Sequence, residues 1–189
     1  MKEIEIKYLS DNAVKPTRAY GNSAGLDIYA SEPAIIRPQD QILLPTDLSI
    51  NIPDGYVGLL TSRSGVSSKT DLVVETGKID AGFHGHMKVN IKNDSEKWTS
   101  DYAFNDDESQ VLVKDIEGEL VPVDDYGFTE DSCLIRKGEK IAQLLIVPIV
   151  TPEVKEVKEF DFKSERGQRG FGSSGYWGGY TGTDKANTE

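Results

Sequence analysis

A single cysteine, Cys133, rules out an internal disulfide, so nothing in this chain depends on an oxidising compartment. Long apolar runs are missing as well. The longest, Ile141 to Val150, is broken by Gln143 and Pro148 and falls far short of the roughly 20 residues a membrane-spanning helix needs. The first ten residues, MKEIEIKYLS, alternate apolar and charged side chains and have no continuous apolar centre of the signal-peptide kind. These absences lead us to expect a cytoplasmic protein without membrane contact. A GxxxxGK[ST] segment is also absent, which disfavours a P-loop nucleotidase.

Excess positive charge is lacking too: the formal net charge is −11, which argues against direct binding to nucleic acid. The imbalance is local. Residues 94 to 131 hold thirteen of the 32 acidic side chains and two of the 21 basic ones, Lys97 and Lys114. That leaves nineteen of each sign elsewhere, so the chain reads as an electrically neutral domain carrying an acidic insert. With 37% hydrophobic residues there is enough apolar material for one core.

Apolar residues alternate with charged ones at Ile4, Ile6 and Tyr8, the pattern of a strand with one wet face. Short runs of strand type recur at Ile42–Leu44, Leu48–Ile52, Tyr56–Leu60, Leu72–Val74, Met87–Ile91, Ile141–Ile149 and Val154–Val157, separated by Gly, Pro, Asn and Asp. No long stretch keeps a period of 3.6, and a helical turn fits only at Gly65–Thr70. This punctuation predicts an all-β sandwich or jelly roll. Inside the insert, Val111–Val113 and Leu120–Val123 read as a hairpin turning at Asp115–Glu119. The domain is expected over 1–165, interrupted by the insert at 94–131, with a Gly-, Ser- and Thr-rich mobile arm and tail at 166–189.

Five segments carry the chemistry: AGLDIYA (24–30), TSRSGVSSK (61–69), GKIDAGFHG (77–85), KGEKIAQLLIVP (137–148) and RGQRGFGSSG (166–175). Taken singly, each has a plain reading. Asp80 and Asp27 suit turns, Gln143 suits a structural hydrogen bond in a strand, and the Gly-rich end suits a flexible terminus. His84 and His86 lie two apart, but with no third ligand in reach they read as solvated or structural rather than as zinc ligands.

Taken together and in this order, the five segments resemble the five motifs of the trimeric dUTPase family. The resemblance implies a homotrimeric, jelly-roll-like enzyme that uses Mg²⁺ to hydrolyse dUTP to dUMP and pyrophosphate. It makes Asp80 the base that activates water for in-line attack on the α-phosphate, and Gln143 a holder of phosphate and water. Asp27 would support Mg²⁺ through water. Arg63, Ser64 and Gly65 would bind phosphate. Gly77, Lys78 and Ile79 would present backbone groups to uracil, and Phe83, where the family usually has Tyr, would pack under the deoxyribose. From the arm, Arg166 would reach the γ-phosphate, Phe171 would stack on uracil, and Gly172, Ser173 and Ser174 would form a donor nest. Arg169, where the family commonly has Gly, receives no role. The family builds each site from three subunits, with motifs 1, 2 and 4 from one, motif 3 from a second and the arm from a third. A rival of the same fold, dCTP deaminase, generally lacks the arm.

The insert resembles those of phage-encoded dUTPases of staphylococcal phages, a group implicated in binding a repressor protein. Forty-three residues separate Asn93 from Lys137, where a simple link uses roughly 2 to 5. Trp98, Tyr102, Phe104, Tyr126 and Phe128 lie among the carboxylates and would serve a basic partner. A solvated acidic loop is the plain alternative. Either way, removing 96–130 is expected to leave hydrolysis intact.

Overall fold

The computed structural model describes residues 3–96, the backbone of 103–104, and residues 109–124 and 127–169. It divides into two compact units, 1–151 and 152–189. The first unit is almost entirely β-structure. It contains β1 (Glu5–Tyr8), β2 (Leu26–Tyr29), β3 (Ala34–Ile36), β4 (Gln41–Asn51), β5 (Tyr56–Ser62), β6 (Leu72–Val74), β7 (Gly77–Ile79), β8 (Met87–Asn93), β9 (Ala103–Phe104), β10 (Val111–Asp115), β11 (Leu120–Val123), β12 (Cys133–Ile135) and β13 (Lys140–Pro148). One helical turn, α1 (Ser64–Ser67), interrupts them. No helix among the described residues is long and apolar enough to cross a membrane.

The strands form three sheets, ordered β1-β4-β8-β6, β2-β13-β5-β7 and β11-β10-β12-β3, with β9 also on β10. Their pairings are antiparallel except for β10 beside β12. Period-two patterning explains why these segments are strands: along β8, Met87, Val89 and Ile91 are buried while Lys88 is exposed. With Ile28, Ile36, Leu48, Ile50, Ile141 and Leu144 they make one continuous core.

The structure joins two of the expected strands. Ile42–Leu44 and Leu48–Ile52 belong to the single strand β4, because the Pro45–Leu48 irregularity is absorbed as a bulge against β8 and Asp47 takes a left-handed φ of 53°. Conversely, Val154–Val157 is no strand. It follows irregular backbone in the second unit, and Val154 is 94% exposed. β2, β3, β7 and β12, three or four residues each, were not anticipated as strands.

The acidic insert is built into the fold rather than hung from it. Val111 and Val113 are fully buried, and β10 pairs with β12, which in turn pairs with β3. Buried Asn93 donates to the carbonyls of Ile36 and Asp131, tying the two ends of the insert to one another and to β3. Lys114 pairs with Asp131 at 2.9 Å. Removing 96–130 would therefore strip β12 of a neighbour and forfeit about 1.5–3 kcal/mol for each buried valine, so the expectation of a clean deletion is withdrawn.

Candidate active site

Asp27 sits on β2 directly opposite Gln143 of β13, and Gln143 in turn faces Thr61 of β5. Cross-strand neighbours of this kind share a face of the sheet. Where β5 ends, the chain turns into α1 through Arg63, which brings the guanidinium onto the same face. A cleft forms there, lined by Tyr20, Gly25, Asp27, Arg63, Ser64 and Gln143 among others, including Gly65, with about 190 Å³ of space. The loop forming its outer wall is held by Arg18, which donates to the carbonyls of Ser23 and Ala24.

The cleft is organised by charge. Arg63 Nε donates to Asp27 Oδ1 at 2.9 Å, and its Nη1 donates to the Lys140 carbonyl at 3.1 Å. Lys140 Nζ lies 2.9 Å from Asp27 Oδ2, an oxygen that is otherwise buried without an aligned hydrogen bond. Burial alone would raise the Asp27 pKa, but Lys140 and Arg63 override it and hold the carboxyl below its ordinary value. Lys140, in turn, is pushed up by its bond to Asp27.

Gln143 Nε2 donates to the Ser62 carbonyl at 2.9 Å, and its Oε1 points at Gly25. A Cβ on Gly25 would stand 2.8 Å from that oxygen, so glycine is required for the amide to lie where it does. Ser64 and Gly65 are exposed at the mouth, and a Cβ on Gly65 would meet nothing within 4 Å. The first N–H groups of a helical turn have no partner inside it, so this corner offers donors to an anion.

The structure thus gathers Asp27, Arg63, Ser64, Gly65 and Gln143, and separates them from the third motif. Gly77, Lys78 and Ile79 form β7, at the opposite edge of the same sheet from β2, with Asp80 exposed just beyond it. Phe83 is 47% exposed, and its ring lies across Gly85, where a Cβ would come within 2.5 Å of Cζ. Neither histidine is free. His84 Nε2 meets Asn51 Oδ1 at 3.0 Å, and His86 Nε2 accepts from the Asp47 amide at 2.9 Å.

Arg166 belongs to the second unit, where Arg166 and Arg169 each donate from Nε to the other's carbonyl, at 2.9 and 3.1 Å. Phe171, Gly172, Ser173 and Ser174 lie outside the described residues, as do Trp98, Tyr102 and Tyr126. Phe104 is in β9, paired with Val111. Phe128 is half-buried and carries the Arg37 guanidinium 4.6 Å above its ring.

Sequence reasoning passed over Lys140, although it lies within the fourth segment. Its contribution depends on a register shift between Lys140 and Ala142 against β2, which residue spacing does not disclose. The cleft wall at Tyr20 and Arg18 carried no motif signal at all.

The dUTPase family model matches residues 11–100 and 103–175. A deoxyuridine 5'-triphosphate nucleotidohydrolase of Oryza sativa subsp. japonica is 33% identical over 172 residues, covering 91% of this chain and 80% of its own. The dUTPase of Staphylococcus bacteriophage 80alpha, solved with dUPNHPP, superposes with a TM-score of 0.82 at 48% identity, covering 93% of this chain and 100% of that one. That phage protein is described as controlling transfer of virulence genes by a G protein-like mechanism. A mutant dUTPase from phage phi11 of S. aureus, described for its coordination of a structural Mg(II) ion, gives a TM-score of 0.78 at 45% identity, covering 85% of this chain and 100% of that one. With the cleft's residues falling in the matched segments, the chain belongs to the dUTPase family, the enzymes that hydrolyse dUTP.

Proposed function

We propose that this chain hydrolyses dUTP to dUMP and pyrophosphate at sites shared between copies of a homotrimer. The observation that carries the reading is the meeting of Asp27, Arg63, Ser64, Gly65 and Gln143 in one cleft while Asp80 stands at the far edge of the sheet. A second copy supplies Asp80 to the first copy's cleft, together with Gly77–Ile79 for the base and Phe83 for the sugar. Arg63 and the α1 amides hold the phosphates, and Gln143 orients the water. Asp80 takes a proton from that water as its oxygen bonds to the α-phosphorus. The bond from the α-phosphorus to the oxygen bridging to the β-phosphorus then breaks, and pyrophosphate leaves. Arm residues Arg166 and Phe171 to Ser174 close over the nucleotide.

Magnesium fits this arrangement. The described residues offer no group of three His, Cys, Asp or Glu side chains, so no protein cage exists among them. Mg²⁺ keeps most of its waters and binds phosphate oxygens, and a lone carboxylate steadied by two cations suits a contact through water. When bound with the triphosphate, the ion would draw charge from the phosphate oxygens.

A second role rests on the insert. Thirteen acids in 94–131 on a folded platform suit a basic protein partner such as a repressor, and Leu120 on β11 is 45% exposed. The enzymatic reading is tested by measuring pyrophosphate and ammonia release across a panel of deoxynucleoside triphosphates with Mg²⁺. Pyrophosphate from dUTP far above all others supports it, and equal turnover of dCTP or dTTP would overturn it.

A further inference from the structure

We infer that the hairpin turn of the acidic insert is a buttress for the phosphate-binding loop, so that Gly118 is a positioning residue for Arg63, Ser64 and Gly65. The inference rests on the phosphate-binding reading of those three residues.

Gly118 stands in the β10–β11 turn with a φ of 83°, and a Cβ added there would lie 2.7 Å from the Lys69 carbonyl oxygen. The turn's backbone therefore presses directly on the backbone of Lys69, an approach that only glycine permits. Lys69 ends a short hydrogen-bonded unit. The Val66 amide donates to the Arg63 carbonyl at 3.1 Å, and the amides of Lys69 and Thr70 donate to the Val66 carbonyl at 3.1 and 3.0 Å. The Thr70 hydroxyl donates to that same carbonyl at 2.9 Å. One end of this unit is in the cleft and the other is under Gly118. With only five residues between Arg63 and Lys69, and each turn bonded to the last, a shift at Lys69 is passed to Arg63.

The buttress is itself stiff. Asp115 Oδ1 accepts from the amides of Glu117 and Glu119 at 2.9 and 3.1 Å, and the Gly118 amide donates to the Asp115 carbonyl at 3.0 Å. Asp115 Oδ2 pairs with Arg136 at 3.3 Å, and Arg136 with Glu139 at 3.2 Å, next to the Lys140 that pairs with Asp27. At the start of the insert, the Asp94 amide donates to the Asp71 carbonyl at 2.8 Å, gripping the same segment two residues on. The insert thus holds the base of the phosphate loop at Lys69 and at Asp71.

Gly55, in the turn between β4 and β5 and outside all five segments, provides a matched control, since it has a φ of 77° but a Cβ there would meet nothing within 4 Å. Gly118→Ala and Gly55→Ala impose a similar backbone strain, and only the first pushes on Lys69. In the intact enzyme, Gly118→Ala should raise KM for dUTP by about fivefold or more relative to Gly55→Ala, with a smaller change in kcat. Asp115→Ala, which loosens the turn without adding bulk, should raise KM in the same direction and decides the matter should Gly118→Ala not fold. A KM for both variants equal to that of Gly55→Ala would overturn the buttress. Arg63→Lys separates this failure from the other. If Arg63→Lys leaves KM for dUTP unchanged, the phosphate-binding reading falls and the buttress with it. If it raises KM while Gly118→Ala and Asp115→Ala do not, only the buttress falls.

Discussion

Gly25→Ala adds one methyl group beside the active cleft, and its consequence can be worked from the geometry. The new carbon would stand 2.8 Å from Gln143 Oε1, 3.0 Å from its Cβ and 3.4 Å from its Cδ. Oε1 must retreat by about 0.6 Å to reach ordinary contact. The amide tip alone cannot absorb this, because the crowded Cβ is fixed to β13. Rotation of the amide breaks the bond from Nε2 to the Ser62 carbonyl, a net loss of about 1 kcal/mol. If that orientation is what holds water and phosphate, kcat/KM for dUTP falls by about fivefold or more. Pyrophosphate release by the purified protein measures it. Gly25→Ala in a Gln143→Gly background supplies the control, because with the amide and the crowded Cβ both gone the methyl loses all three of its close neighbours and should cost little more. Wild-type kcat/KM in the single variant would refute the reasoning. So would an equal penalty in both backgrounds, which would show that the methyl simply blocks the cleft.

Asp80→Asn should lower kcat by about 10²–10⁴-fold while binding of a non-hydrolysable dUTP analogue, followed by calorimetry, stays near wild type; near-normal kcat would remove Asp80 from its role. Asp115 is subject to burial, which raises its pKa, but the amides of Glu117 and Glu119 and the Arg136 guanidinium override this and hold it below the ordinary value of 3.8. A depressed carboxylate stabilises the fold above its unfolded pKa and loses that contribution as pH falls through its folded one, so acid unfolding below about pH 4 should be shallower for Asp115→Asn. Thermal melts across that range check this, and an unchanged slope would contradict it. The Cys133 thiol is 3% exposed and burial pushes its pKa up to about 12, so iodoacetamide at neutral pH should label it only after unfolding. Mass spectrometry showing full labelling of the folded protein would contradict its burial.

What the sequence disclosed follows from the kind of signal each feature leaves. Long amphipathic strands such as β8 announce themselves by alternation, and the cleft residues lie in contiguous motifs. β3 and β12 are short and define one another across a long stretch of chain, with β10 on the far side of β12, a long-range pairing that local patterning does not show. Pro45 and Asp47 look like strand breakers, yet β4 runs through them because a bulge absorbs the irregularity. Val154–Val157 has strand composition yet follows irregular backbone in the second unit, which composition alone does not reveal. The insert's charge drew attention to its surface and concealed that Val111, Val113 and Asp115 fasten it inward. Lys140 was overlooked because its reach to Asp27 is set by a register shift.

The shared site is tested most directly by complementation. Arg63→Ala disables the phosphate cleft and Asp80→Asn disables the water-activating edge, so each variant alone should be inactive. On the proposed trimer, co-expression at equal levels should give mixed assemblies in which an intact cleft from one copy meets an intact Asp80 from another in about a quarter of the sites. The account predicts dUTP hydrolysis returning to about a quarter of the wild-type rate. Mixed trimers, verified by differential tagging, that hydrolyse dUTP no faster than either variant alone would contradict it.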